Sequence, residues 1–166
     1  MAPPTWRSLP TGPRRWFFRA PILAYRARLG WLFGHRLVLV EHRGRKTGLR
    51  RRVVVEVAAR DRDTGAVVVA SGFGPKANWY RNVLAHPDTT IVLGARRIAV
   101  HAVPLSSEEG GEAMVGYARR HAASAKVLAG YMGMPVDGSE AAYRDLGRVL
   151  PFVRFEPRGH ATGRFG

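Results

Sequence analysis

The chain has 166 residues, 46% of them apolar, and a formal charge of +15. That length suits one domain with a core of its own, and the lack of cysteine excludes disulfides, thiolate catalysis and cysteine-bound metal. Only Lys46, Lys76 and Lys126 of the 27 cations are lysine; the rest are arginine, which forks onto phosphate and carboxylate, so the partner classes are nucleic acid, an anionic membrane surface or a polyanionic small molecule.

Residues 1–12 hold Pro3, Pro4, Pro10 and Gly12 and read as a flexible arm. No signal-peptide apolar core and no run of ~20 apolar residues is present, so the cytoplasm is the expected address. From Pro13 to about Leu29 the pattern is helical, with Trp16, Ala20, Leu23, Ala24, Ala27 and Trp31 on one arc and Phe18, Ile22 and Tyr25 on the other. Arginines between them suit a helix docked on the domain, or one that also meets lipid headgroups at the inner membrane face.

Residues 36–42 and 50–59 alternate as strands. Between them, residues 43–52 carry six cations, two glycines and Thr47. Glycines let backbone N–H groups approach a ligand, and the clustered cations repel one another unless an anion is near, so this turn reads as an anion cradle, most simply for phosphate. Residues 60–65 form a polar turn, residues 66–71 a buried strand and residues 72–75 a Gly-Phe-Gly-Pro loop. A short helix over residues 78–85 ends at His86-Pro87. Residues 89–93 and 96–103 make a hairpin about Gly94-Ala95. Ser106 caps a helix expected to run to about Leu128, with Glu108, Glu109 and Glu112 in its first turns. Gly130, Gly133 and Pro135 interrupt, a helix follows over residues 139–149, and residues 151–156 close as a strand. Strands joined mainly by tight turns predict an α+β domain: an antiparallel sheet closed into a barrel, with helices outside. Residues 13–157 form that single domain and residues 158–166 a tail.

Several motifs fail on context. Gly72-Phe73-Gly74-Pro75-Lys76-Ala77 matches a dinucleotide fingerprint, but the helix is short, Pro75 lies inside it and no ribose-binding acid follows about twenty residues on. Gly44–Gly48 is too short for a P-loop. Position 69 is valine, so Ser71 lies in no nucleophile elbow. The six histidines show no paired metal spacing, and no metal is expected.

Three blocks carry a resemblance: Gly44-Arg45-Lys46-Thr47-Gly48 with Arg51, then Val69-Ala70-Ser71-Gly72, then Trp79-Tyr80-x-Asn82-x-x-Ala85-x-Pro87. Together they resemble the deazaflavin-dependent nitroreductase family, with the split β-barrel of flavin-reductase-like proteins, over about residues 30–157. Residues 36–60 and the basic N-terminal helix are most similar to its quinone-reductase branch. The resemblance implies coenzyme F-420, a deazaflavin with a phosphate and an oligoglutamate tail. Arg45, Lys46, Thr47, Gly48 and Arg51 would hold phosphate and tail, Ala70, Ser71 and Gly72 would line the ring, and Trp79 and Asn82 would complete the wall. Relatives often carry lysine at position 72, and Lys76 is the substitute here; Glu56 stands where relatives commonly place an aromatic residue. Ser71 would hydrogen-bond the acceptor or the ring, and Tyr131 and Tyr143 are the nearest candidates for substrate-contacting tyrosines.

The implied reaction is hydride transfer from reduced F-420 to a small-molecule electron acceptor: a quinone, nitro compound or activated alkene. The alternatives are an FMN-binding protein of the same barrel, a non-catalytic F-420 carrier, and a nucleic-acid module. The last lacks the aromatics that a stacking platform interleaves with its cations. The sequence does not set the oligomeric state.

Overall fold

A computed structural model describes residues 34–159. The expected arm, the N-terminal helix and residues 160–166 lie outside the described residues, as does the side chain of Tyr131. Six strands, β1 (Leu37–Arg43), β2 (Arg50–Arg60), β3 (Val67–Ala70), β4 (Asp88–Leu93), β5 (Arg96–Pro104) and β6 (Phe152–Pro157), close into one barrel in the order β1-β2-β3-β6-β5-β4. Every pairing is antiparallel. Four helices are described: α1 (Asn78–Ala85), α2 (Ser107–Arg120), α3 (Ala122–Tyr131) and α4 (Glu140–Val149). The fold is a split β-barrel, as the sequence predicts. Among the described residues, no helix is long and apolar enough to cross a membrane.

Strand parity builds the interior. On β1, Val38 and Val40 point inward; on β4 Ile91 and on β6 Val153 and Phe155 do the same, all fully buried with Val67, Val69 and Val100. The period-2 geometry of a strand makes this face automatic once the register is set. β1 pairs with β2 from Leu37↔Glu56 to Arg43↔Arg50, so His42 falls opposite Arg51 at the barrel end nearest the basic turn. A bulge between Val57 and Ala59 interrupts the β2–β3 register.

The outer faces of β2, β3 and β6 supply Ala58, Val68, Ala70 and Phe152 to a second core beneath α2, α3 and α4. α2 starts at a capping box in which Ser106 and Glu109 each satisfy the other's backbone N–H. α2 and α4 cross at Gly110 and Gly147, where a Cβ on Gly147 would lie 2.4 Å from the Gly110 carbonyl oxygen. Tyr117 of α2 is buried; burial, then the Glu56 carboxylate, push its pKa up to about 12.

One expected helix is two. The run from 106 to about 128 breaks at His121, whose backbone is non-helical (φ −140°, ψ 56°). Arg120 is drawn to the Ala58 carbonyl at 2.6 Å, and the His121 ring packs on Tyr117 with centroids 5.4 Å apart. Tertiary contacts override a sequence whose local propensity is helical throughout.

Candidate functional site

The turn between β1 and β2 is built around two glycines. A Cβ on Gly44 would fall 2.6 Å from Thr47 Oγ1 and 3.3 Å from Arg51 Nε, so only glycine lets these two groups converge over the backbone. Gly48 has φ +67°, the left-handed region that glycine enters freely. Gly48 N donates to Gly44 O at 2.7 Å, Gly44 N to Leu49 O at 2.8 Å, and Leu49 N to Thr47 Oγ1 at 3.4 Å. The amides of Lys46 and Thr47 make no hydrogen bond among the described residues, and both residues are exposed. Two N–H groups without a partner among the described residues, an ammonium, a hydroxyl and the nearby Arg51 guanidinium thus surround one turn. That is the donor set of a phosphate site.

Arg45 sits differently. Its guanidinium turns back onto α1, with Nη1 at 3.0 Å from Asn82 Oδ1 and 3.3 Å from Asn78 Oδ1. Its amide also donates to Asn82 Oδ1, at 3.1 Å. Asn82 is buried and meets His42 Nδ1 at 3.1 Å through Nδ2. Of the residues expected to hold the anion, Lys46, Thr47, Gly48 and Arg51 line the open side of the turn, while Arg45 holds it from behind together with Asn82, a residue expected in the pocket wall.

Beside the turn, the C-terminal end of α1 and the adjoining ends of β1, β2 and β4 enclose a cavity of about 730 Å³. Arg43, Arg50, Arg51, Arg52, Arg97 and two histidines, His42 and His86, line it, against only Glu41 and Asp88. Glu41 is held between Arg52, at 3.0 Å, and Arg97, at 2.6 Å. Arg43 and Arg50 face each other in register with no acidic partner among the described residues, an arrangement that costs stability unless an anion is bound. Burial, and then Arg51, lower His42 to about pKa 4, so the imidazole is neutral at physiological pH.

The other expected residues gather at the far end of α1. Ala70 and Gly72 are half-buried, and a Cβ on Gly72 would reach Leu128 Cδ1 at 3.6 Å. Ser71 is fully buried; its Oγ donates to Gly74 O at 2.8 Å and its amide to Pro151 O at 2.8 Å. In this arrangement Ser71 ties the glycine loop together. Trp79 packs into the barrel core, edge-on to Tyr80 with centroids 6.0 Å apart. Lys76 is exposed on the loop. Tyr143 lies in the helical core, beside a separate cavity of about 460 Å³ among α2, α3 and α4, and does not join the basic one.

Sequence reasoning missed His42, Gly44 as the tight point of the turn, and Asn78. Parity offered a signal for the first: His42 continues the inward face of Val38 and Val40.

The chain matches the model of the F420H(2)-dependent quinone reductase family over residues 19–133. It belongs to that family. Rv3178 of Mycobacterium tuberculosis, named for the same activity, is 43% identical over 74 residues, which cover 43% of this chain and 60% of that protein. This chain therefore aligns with less than two thirds of that curated relative. The solved F420-H2 dependent reductase FDR-A has 21% identity and a TM-score of 0.50, covering 74% of this chain and 96% of that one. Atu2129 of Agrobacterium tumefaciens, of unknown function, has 14% identity and a TM-score of 0.54, covering 90% of this chain and 58% of that one. At such identities the two structures bear on the fold alone. The family match spans the basic turn, the glycine loop, α1 and α3 together.

Proposed function

We propose that this family member binds coenzyme F-420 and uses its reduced form to reduce a quinone, with nitro compounds and activated alkenes as further acceptors of the same hydride. The observation that carries the reading is the Gly44–Gly48 turn: two amides unpaired among the described residues, Lys46, Thr47 and Arg51 beside a basic cavity of about 730 Å³. A phosphate with an attached polycarboxylate fits that donor set, and the space a Cβ on Gly44 would fill is the space such a cradle needs.

The deazaflavin, when bound, supplies the hydride. The chain's own residues bind and orient. Lys46, Thr47 and Arg51 would take the phosphate with charge-assisted bonds. Arg43, Arg50 and Arg97 would attract the carboxylates. Ala70 and Gly72 would offer a flat, small-residue surface to the ring, held in shape by the Ser71–Gly74 bond. Positioning and electrostatics are then the protein's contribution to rate. Tyr131 and Tyr143 remain candidates for acceptor contact, and the N-terminal segment for contact with an anionic membrane surface.

The experiment is binding of F-420 against FMN by fluorescence quenching. Preference for F-420, lost on adding salt, is expected. Equal or tighter binding of FMN would replace this reading with the flavin alternative.

A further inference from the structure

Asn82 is 3% exposed. Its Oδ1 accepts two bonds, from the Arg45 amide at 3.1 Å and from Arg45 Nη1 at 3.0 Å. Its Nδ2 meets His42 Nδ1 at 3.1 Å. An amide nitrogen can only donate, so His42 Nδ1 accepts and the imidazole carries its proton on Nε2. One side chain thus joins the first residue after Gly44, strand β1 and helix α1. Asn78, one turn earlier, adds a contact to Arg45 Nη1 at 3.3 Å.

The start of α1 is tied to the glycine loop as well. The Ala77 amide donates to Gly74 O at 3.3 Å, the Gly74 amide to Ser71 O at 2.8 Å, and Trp79 anchors the first turn in the barrel core. Eight helical residues span roughly 12 Å. α1 therefore carries the glycine loop at its N-terminus and the anion turn along its side, at Asn78 and Asn82.

We propose that Asn82 is a positioning residue: by gripping Arg45 and His42 it fixes the Gly44–Gly48 turn on α1, and so sets where an anion on the Lys46 and Thr47 amides stands relative to the Gly72–Gly74 loop. Its buried amide is occupied by Arg45 and His42. The proposal rests on the F-420 reading for the identity of that ligand, but the attachment itself does not. No apolar residue could replace Asn82 without removing the acceptor of the half-buried Arg45 amide and the donor to the buried His42 nitrogen. Aspartate would keep the Arg45 acceptor and lose the donor to His42.

The test uses the full chain as wild type, Asn82→Ala and Asn82→Asp, with F-420 and with a deazaflavin riboside that lacks the phosphate and tail, together with hydrogen exchange of the Arg45 amide without ligand. For Asn82→Ala, F-420 affinity should fall about tenfold or more. Riboside affinity should stay within about twofold, as for a site that shares no partner with Asn82. The Arg45 amide should lose its protection. For Asn82→Asp, the Arg45 amide should stay protected, the riboside should still bind, and His42 should take up a proton at neutral pH, read by its ring resonances. Parallel loss of riboside and F-420 in either variant overturns the proposal, as does a protected Arg45 amide in Asn82→Ala. If Asn82→Ala does not fold, Asn82→Asp decides on the same two readouts. A wild type that binds neither deazaflavin removes the F-420 reading alone. Inorganic phosphate is then the probe: shifts of the Lys46 and Thr47 amides that vanish with the loss of Arg45 protection support the proposal, and shifts indifferent to it overturn it.

Discussion

His42 on β1 stands directly opposite Arg51 on β2, and the pair lies where the barrel wall meets the basic turn. Burial, assisted by the Arg51 charge, lowers the imidazole from an ordinary 6.5 to about 4. The unfolded chain therefore binds a proton between those values that the folded chain does not. The contribution is fully present above about pH 6.5 and disappears as the pH falls to 4, amounting to at most about 3 kcal/mol. Denaturant unfolding across that range should show stability rising with pH. His42→Gln, which cannot titrate, should lose that part of the slope; an unchanged slope would assign it to other groups.

Lys46→Ala with Arg51→Ala removes two cations from the open side of the turn. Both are exposed, so the fold should survive. F-420 binding should weaken by roughly 2–4 kcal/mol if each forms a charge-assisted contact. Titration calorimetry that finds unchanged affinity in a folded double variant would place the anion site elsewhere. Arg45→Ala probes the turn from behind and should disturb the backbone as well as the charge.

Two glycine substitutions should act in opposite directions. A Cβ on Gly147 would lie 2.4 Å from Gly110 O, 2.6 Å from Met114 Cβ and 2.8 Å from Gly111 Cα, so α2 and α4 would have to separate. Gly147→Ala should cost about 3 kcal/mol. Gly130, on α3, has open space among the described residues where a Cβ would stand, and no positive φ. Gly130→Ala should stabilise by about 0.5–1 kcal/mol through helix propensity and a stiffer unfolded chain. Thermal melts of the two variants check both signs.

The +15 charge permits a direct contest between ligands. If it serves a small polyanion, DNA binding should be weak at ~150 mM salt and F-420 should compete it away. Affinity that grows with duplex length and resists F-420 would make nucleic acid the principal partner.

The N-terminal segment can be tested without assuming its structure. Deleting residues 1–20 should leave F-420 affinity nearly unchanged, because the anion turn lies beyond the deletion. Loss of binding to anionic vesicles in the same deletion would support a membrane contact for the aromatic and arginine residues there. Unfolding of the truncated chain would instead identify a docked helix.

The sequence by itself determined the order of the strands along the chain, the barrel class and the position of the basic turn. These follow from local chemistry: period-2 alternation in Leu37–Arg43, the glycines at 44 and 48, and the cap at Ser106. Local chemistry also located the Gly72–Gly74 loop and the bounds of Asn78–Ala85. What it could not settle was which side chains face a ligand and which face the protein. Arg45 and Lys46 are adjacent cations in one turn, yet Arg45 is bound to Asn78 and Asn82, some 33 and 37 residues away in sequence, while Lys46 is open to solvent. Closing the barrel brings α1 against β1, and only then does Asn82 meet His42. The break at His121 has the same origin: Arg120 finds the Ala58 carbonyl across 62 residues of chain. Contacts of that range depend on strand register and helix placement, and no local pattern in the chain encodes them.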